Sequence, residues 1–217
     1  DPPPPLPLTL VLALPRPKVL NRVIAGATSL GVKRIVLINA WRVEKSYWKS
    51  PRLAEENLLA QRVLGLEQAR DTTLPSIEMH RLFRPFVEDE LPSIVKDSLA
   101  LVAHPNASAE CPRQVTQPVT LAIGPEGGFI EQEIASLERI GFTPVALGPR
   151  ILRVETAVAS IIGRLFCIDA AGPTELPYVQ TAYGNLRRRA CRPGYHPRRP
   201  NAAASGPLPP QVFCPPQ

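Results

Sequence analysis

The chain has 217 residues, of which 44% are hydrophobic and 20% are charged, a balance typical of a globular protein. No apolar run approaches the ~20 residues needed to span a bilayer, and the proline-rich start lacks the order of an export signal. The sequence therefore predicts a cytoplasmic protein without a membrane partner. The net charge of +6 is uneven, because six arginines lie from Ala170 onward. Residues 1–169 carry only about +1, so the composition of that part does not by itself indicate nucleic-acid binding.

Proline and cysteine set expectations for the ends of the chain and for metal binding. The 27 prolines crowd into Pro2–Pro17 and Pro173–Pro216, and such segments resist packing. We expect residues 1–7 to form a proline-rich end, residues 8–169 the folded domain and residues 170–217 a disordered tail. The chain does not begin with methionine, so we expect its natural start to lie upstream. The four cysteines form no CxxC pair, which favours free thiols and no metal site.

Apolar runs and helical periodicity alternate from residue 8 onward. The apolar runs predict strands at Leu8–Leu14, Arg34–Ile38, Ser76–Met79, Leu99–Ala103, Thr120–Ile123 and Pro144–Leu147. Helical spacing predicts helices at Lys18–Leu30, Leu53–Ala69, Ile130–Ile140 and Val154–Phe166. We expect Pro85–Ser98 to be a helical or irregular connection broken at Pro92, and His104–Val119 to be a loop. The strand–helix–strand order predicts an α/β fold, with a mostly parallel sheet and helices on both faces.

Two glycine-rich segments each follow a predicted strand. GPEGG at Gly124–Gly128 follows Thr120–Ile123, and GPRILR at Gly148–Arg153 follows Pro144–Leu147. Open α/β sheets bind ligands at the carboxyl ends of their strands, and glycine lets a ligand approach the main chain. The first segment has neither P-loop nor dinucleotide spacing, and the carboxylate of Glu126 is a poor neighbour for a pyrophosphate. The pattern favours a neutral or cationic ligand, although GPEGG alone is equally consistent with a structural corner.

In their wider context the two segments closely resemble a paired signature of the ribosomal RNA small subunit methyltransferase E family. The matching residues are IGPEGGF at Ile123–Phe129, LGPRILR at Leu147–Arg153 and ETA at Glu155–Ala157. Three further matches are LALP at Leu12–Pro15, SLGVKRI at Ser29–Ile35 and GLEQARDTTLP at Gly65–Pro75. The resemblance spans most of residues 8–166 with order and spacing intact. That family belongs to the SPOUT superfamily and methylates N3 of a uridine in 16S ribosomal RNA.

The resemblance implies an S-adenosylmethionine-dependent methyltransferase whose α/β domain ends in a trefoil knot. It places the cofactor in a pocket of three loops, formed by Ala103, His104, Ile123, Gly124, Glu126, Gly127, Gly128, Leu147, Gly148, Ile151 and Leu152. It also implies a homodimer, with 16S ribosomal RNA or the small ribosomal subunit as partner. Family members usually carry an N-terminal PUA-type domain, and this chain begins almost directly with the catalytic-domain strand. The chain is therefore either a fragment or a member without that domain.

Arginines in the second glycine segment are the candidates for catalysis. Uridine N3 carries a proton near neutral pH, and a nearby cation would stabilise the anion left when that proton is removed. We assign this role to Arg150 and Arg153, with Arg153 also binding substrate; the alternative is a structural pairing with Glu126 or Glu155. Arg70 is a further candidate for substrate binding, and an exposed helix end is the equal alternative.

Four other features have open roles. For Glu126, holding its loop is favoured over facing a sulfonium. For His104, lining the pocket is favoured over acting as a general base. Tyr47 and Trp48 lie between lysines and either stack on an RNA base or pack their loop onto the domain. The arginines of Arg187–Arg199 either bind RNA by charge or form a neutral, solvated tail.

Two rival functions belong to other classes. A binding module of the same fold, catalytically impaired, would keep the glycine segments yet transfer no methyl group. A different α/β enzyme that uses a nucleotide is disfavoured, because the P-loop and dinucleotide patterns are absent. Methyl transfer separates the first rival from the methyltransferase, and titration with ATP or NAD separates the second.

Overall fold

Seven strands form one sheet in the computed structural model, which describes residues 2–166. They are β1 (Leu8–Ala13), β2 (Arg34–Ile38), β3 (Ser76–His80), β4 (Leu99–Ala103), β5 (Ala109–Glu110), β6 (Val119–Ile123) and β7 (Thr143–Ala146). Their order across the sheet is β3-β2-β1-β6-β4-β7-β5, and every neighbouring pair is parallel. The predicted α/β fold with a mostly parallel sheet is confirmed.

Helices connect the strands in the described part of the chain. They are α1 (Pro17–Ser29), α2 (Glu55–Ala69), α3 (Phe83–Pro85), α4 (Leu91–Val95), α5 (Glu131–Arg139) and α6 (Val154–Leu165). Two short 3₁₀ turns, Tyr47–Lys49 and Pro51–Leu53, precede α2, and a π-helical turn, Phe86–Glu90, joins α3 to α4. None of the helices within residues 2–166 is long and apolar enough to cross a membrane.

The central strands are buried because helices cover both faces of the sheet. All five residues of β6 are buried, and so is every residue of β1 except Thr9. The connections β1–α1–β2 and β2–α2–β3 run toward one edge of the sheet, whereas β6–α5–β7 runs toward the other. Since parallel crossovers are right-handed, the two directions place α5 on the face opposite α1 and α2.

Two irregular segments differ from their predictions. Pro92 does not break a connection, because it lies in the first turn of α4, where a missing N–H costs no helical hydrogen bond. The predicted loop His104–Val119 contains β5, whose two exposed residues carry no apolar signal. The first two residues of the predicted helix Leu53–Ala69 precede α2, since a 3₁₀ turn ends at Leu53.

The proline-rich start is joined to the domain at Leu6. The Leu6 N–H donates a 3.0 Å hydrogen bond to the Gly31 carbonyl, and its half-buried side chain packs against the core. The predicted tail and the arginines of Arg187–Arg199 lie outside the described residues.

Cys111 is a buried free thiol, and burial raises its pKa; the other three cysteines also lie outside the described residues. The trefoil knot and the division at residues 7 and 169 stay predictions.

Candidate functional site

The loops that follow β4, β6 and β7 line one cavity of about 1120 Å³. These three strands are neighbours in the sheet, in the order β6-β4-β7. Because they are parallel, their carboxyl ends lie side by side at the same end of the sheet. The start of α1 lies beside them, because β1 pairs with β6 on the other side. Ligands of open α/β sheets bind at the carboxyl ends of the strands.

All the residues predicted to bind a cofactor line this cavity. They are Ala103, His104, Ile123, Gly124, Glu126, Gly127, Gly128, Leu147, Gly148, Ile151 and Leu152. Arg150 and Arg153 line it as well. The fold therefore brings the two glycine segments and the end of β4 together, and the binding of a cofactor by these residues stays a prediction.

The first glycine segment makes a tight turn that needs glycine at two positions. A Cβ on Gly124 would lie 2.8 Å from the Phe129 nitrogen and 3.0 Å from a backbone carbon of Gly128. Gly128 has a φ of 72°, and its N–H donates a 2.7 Å hydrogen bond to the Pro125 carbonyl. The turn presents main chain to the cavity, which suits a ligand that hydrogen-bonds to backbone.

The second glycine segment combines bare backbone with apolar side chains. Gly148 has a φ of 139°, and a Cβ built on it would have no heavy atom within 4 Å. Ile151 is 82% exposed and Leu152 is 36% exposed, although both side chains are apolar. A wall of this kind suits a ligand with an apolar ring and a polar edge.

Glu126 ties the first glycine segment to the start of α1. Its Oε1 accepts a 2.9 Å hydrogen bond from the N–H of Arg16, the residue at the N-cap of α1. This is the acceptor role that a carboxylate has in a capping box, supplied here from a distant part of the chain. Negative charge is also favourable near a helix N-terminus. The contact supports the loop-holding role of Glu126.

Arg42, which the sequence did not single out, holds the same segment from the loop after β2. Its Nη1 donates a hydrogen bond to the Gly127 carbonyl, and the arginine itself lines the cavity. A Cβ on Gly127 would lie 2.8 Å from Arg42 Cδ. The only signal in the sequence was the position of Arg42 after a buried strand.

The two aromatic residues of the 3₁₀ turn Tyr47–Lys49 have different surroundings. Tyr47 lines the cavity. Its stacking on an RNA base stays a prediction. Trp48 is only 9% exposed, and its Nε1 donates a 3.0 Å hydrogen bond to Asn39 Oδ1. The packing alternative therefore holds for Trp48, because a buried indole has no free face for a base.

Arg150 and Arg153 are exposed at the cavity and make no hydrogen bond or ion pair through their side chains within residues 2–166. The carboxylates expected as alternative partners have other contacts. Glu126 accepts from the Arg16 backbone, and Glu155 pairs with Arg22 at 3.3 Å. Within the described residues, both guanidinium groups are therefore available to a ligand.

Positive charge is concentrated at this cavity. Six cationic side chains line it, those of Arg16, Lys18, Arg22, Arg42, Arg150 and Arg153. Only two carboxylates, Glu126 and Glu155, oppose them, which leaves a net charge of +4. The whole of residues 1–169 carries about +1, so the cavity is more positive than the body that contains it.

Arg70 lies at the opposite end of the sheet from the cavity. It is the exposed C-cap residue of α2, and the adjacent Asp71 pairs with Lys33, which directly precedes β2. The strands begin at this end of the sheet, whereas the cavity lies at their carboxyl ends. The structure does not bring Arg70 to the cavity, so its predicted contact with substrate has no support within one copy of the chain.

His104 lies on the cavity wall. Its backbone N–H donates a 3.0 Å hydrogen bond to the Val145 carbonyl, which joins the end of β4 to β7. This placement supports the lining role over that of a general base. No group of His, Cys, Asp and Glu side chains suited to a metal ion occurs within residues 2–166.

Comparison with known proteins gives one consistent result. The family model of the RNA methyltransferase domain matches residues 2–165. Ribosomal RNA small subunit methyltransferase E of Treponema pallidum is 32% identical over 155 residues, which are 67% of this chain and 56% of that protein. The corresponding enzyme of Borreliella burgdorferi is 28% identical over 149 residues, 68% of this chain and 62% of that protein.

Solved structures agree with the sequence relatives. Ribosomal RNA small subunit methyltransferase E from Neisseria gonorrhoeae, bound to S-adenosyl methionine, gives a TM-score of 0.62 at 26% identity, covering 75% of this chain and 65% of that chain. A Legionella pneumophila protein in complex with the same cofactor gives 0.61 at 29% identity, covering 72% and 65%. This chain thus spans less than two thirds of the length of these relatives. The resemblance drawn from the glycine segments is confirmed.

Proposed function

Since the chain belongs to the RNA methyltransferase domain family, we propose that it methylates N3 of a uridine in 16S ribosomal RNA, using S-adenosylmethionine. One observation carries the proposal: both glycine segments line a single cavity at the carboxyl ends of the strands, beside two arginines whose side chains have no partner within residues 2–166. A relative named ribosomal RNA small subunit methyltransferase E matches 67% of this chain, and two related structures contain the cofactor.

The residues of the cavity fit the cofactor. Gly124, Gly127, Gly128 and Gly148 line the cavity, and their main-chain groups other than the Gly128 N–H and the Gly127 carbonyl would meet a purine edge. Ile151 and Leu152 offer an apolar surface to its ring. The volume of about 1120 Å³ is large enough for one small ligand, since pockets for such ligands are ~300–1,000 Å³. S-adenosylmethionine, when bound, supplies an activated methyl group.

Arg150 and Arg153 supply the electrostatic part of the mechanism. The uridine N3 proton leaves to solvent, and the negative charge that develops on the ring is stabilised by a guanidinium group. Neither arginine has to leave a partner in residues 2–166 before it meets the base. Arg153 also lies beside α6 at its N-cap, so its backbone is fixed by a regular helix.

The charge of the cavity supports a polyanionic substrate. S-adenosylmethionine is itself cationic at sulfur, so a net charge of +4 is not explained by the cofactor. A phosphate backbone passing the mouth of the cavity would be attracted by Arg16, Lys18, Arg22 and Arg42. We further propose, from the family resemblance, that the chain acts as a cytoplasmic homodimer.

The test is transfer of a labelled methyl group to small ribosomal subunits that lack this modification. S-adenosylmethionine affinity is measured in parallel, with ATP and NAD as competitors. The proposal predicts a saturable cofactor signal, no competition and label in the 16S RNA. Cofactor binding without transfer would leave a catalytically impaired binding domain, whereas binding of ATP or NAD instead would point to another class of enzyme.

A further inference from the structure

Trp41 is a large aromatic side chain left almost fully in solvent. It is 80% exposed, whereas Trp48, the other tryptophan of the chain, is 9% exposed. Trp41 follows β2 by three residues, in the loop that also carries Arg42. The sequence pattern singled out Trp48, which lies between two lysines, and not Trp41.

The backbone that carries Trp41 is fixed although its ring is exposed. The Trp41 N–H donates a 2.7 Å hydrogen bond to Oε1 of Glu133, a buried carboxylate. The other oxygen of Glu133 accepts a 3.0 Å hydrogen bond from the Ile130 N–H at the N-cap of α5. One carboxylate therefore joins the loop after β2 to the loop after β6, which presents the indole on an ordered support.

Trp41 directly precedes a residue that lines the positively charged cavity and is not itself a lining residue. Its neighbour Arg42 lines the cavity and donates a hydrogen bond to the Gly127 carbonyl. Consecutive Cα atoms are ~3.8 Å apart, so the indole starts within one residue of the cavity wall. Because Trp41 does not line the cavity, a partner other than the cofactor is indicated for its ring.

An ordered, exposed aromatic ring beside a cationic groove is the combination that binds single-stranded nucleic acid. The cations follow the phosphates, and the ring stacks on a base of any sequence. Lys45 and Lys49 are exposed in the same loop, which with Arg42 and the opposing Glu44 carries a net charge of +2. An interface with a second copy of the chain would use the apolar ring but would gain nothing from this charge.

We propose that Trp41 is a stacking platform for a base that flanks the methylated uridine in single-stranded RNA. The inference rests on the proposed function for the identity of the polyanion. It adds a substrate-positioning residue outside the cofactor cavity, and it predicts that the RNA enters over the loop after β2.

The experiment titrates the full chain with a single-stranded, uridine-containing RNA of about twelve nucleotides, within the ~4–16 nucleotides of comparable sites. The variants are Trp41→Ala, Trp41→Phe and, as a matched control, Leu64→Ala, which removes another exposed apolar side chain from α2. Polyphosphate is titrated as a polyanion without bases. S-adenosylmethionine affinity and sedimentation are measured on every variant.

The inference predicts that Trp41→Ala weakens RNA binding at least about fivefold, as for loss of one base–aromatic stack. Trp41→Phe should recover most of that affinity, and Leu64→Ala should match the wild type. Affinities for polyphosphate and S-adenosylmethionine should be unchanged in Trp41→Ala. In the transfer assay the same variant should raise KM for RNA while kcat holds, which a merely structural role would not produce.

Three results would overturn the inference. They are equal RNA affinity in Trp41→Ala and wild type, an equal loss for polyphosphate, and a change in sedimentation that marks an interface between copies. Failure of the proposed function is distinguishable from these. A chain that binds RNA through Trp41 but binds no S-adenosylmethionine would overturn the proposed function and leave the stacking platform standing.

Discussion

Glu126 accepts a 2.9 Å hydrogen bond from the backbone N–H of Arg16, across a separation of 110 residues. The contact joins the first glycine segment to the start of α1, so the turn is held from outside its own loop. Its consequence is that a residue assigned to cofactor binding acts by fixing the main chain that the cofactor would meet.

We predict that Glu126→Ala weakens S-adenosylmethionine binding by about tenfold or more, since a hydrogen bond to a charged group contributes about 1.5–3 kcal/mol. Glu126→Gln keeps an acceptor oxygen and should stay close to wild type. Calorimetric titration measures both, with the exposed Glu131→Ala as control. Unchanged affinity in Glu126→Ala would show that the turn holds without this contact.

Substitution of Gly124 should damage the site through sterics alone. A Cβ there would meet the Phe129 nitrogen at 2.8 Å, so Gly124→Ala forces the turn to move. We expect loss of S-adenosylmethionine binding and a cost of about 1–3 kcal/mol in the free energy of unfolding. Gly26→Ala is the matched control, because its Cβ meets nothing within 4 Å and lies within α1. It should stabilise the fold slightly, by up to about 1 kcal/mol.

Arg153→Ala should lower kcat about tenfold or more, because a preorganised cation near developing charge is lost. Cofactor affinity should change little, since a guanidinium does not attract a sulfonium. Single-turnover methyl transfer and calorimetry separate the two effects, and Arg139→Ala on the exposed side of α5 serves as control. An unchanged kcat with an intact fold would remove Arg153 from the mechanism, and Arg150→Ala would then be the variant to measure.

Asp71 gives the fold a defined sensitivity to acid. The hydrogen bond from Lys33, together with the Thr73 N–H at 2.9 Å, lowers the pKa of Asp71 below its ordinary value of 3.8. A lowered folded-state pKa stabilises the fold above the ordinary pKa, and that contribution is lost as the pH falls through the lowered pKa. Chemical denaturation between neutral and acidic pH should show this decline in wild type.

Asp71→Asn should remove that part of the acid dependence and cost about 1–3 kcal/mol at neutral pH, because Lys33 loses its carboxylate partner. Glu78→Gln breaks the more exposed pair with Arg34 and should cost at most about 1 kcal/mol. If both variants denature alike, the buried position of Asp71 has no special role in stability.

Sequence predicted the buried strands well because burial on both faces leaves an apolar run. The bounds of β2 and β4 match their predictions, and the glycine segments were found because each follows such a run. β5 was missed, since Ala109 and Glu110 are both exposed and pair only through backbone.

The sequence predicted the loops that line the cavity, but it did not predict the arginines that reach the cavity from other elements. Arg16, Arg22 and Arg42 reach the cavity from the N-cap of α1, from α1 itself and from the loop after β2. No local pattern distinguishes them from solvated arginines. The same limit applies to Arg70. The motif that contains it was recognised, but the sequence did not show that it lies at the end of the sheet away from the cavity. The burial of Trp48 and its hydrogen bond to Asn39 are likewise visible only in three dimensions.

The most direct test of the central claim is nucleoside analysis of 16S RNA after incubation of unmodified small subunits with this chain and S-adenosylmethionine. We expect N3-methyluridine as the product, and its loss in Gly124→Ala but not in Gly26→Ala. A different methylated nucleoside, or no product while the cofactor binds in the cavity, would contradict it.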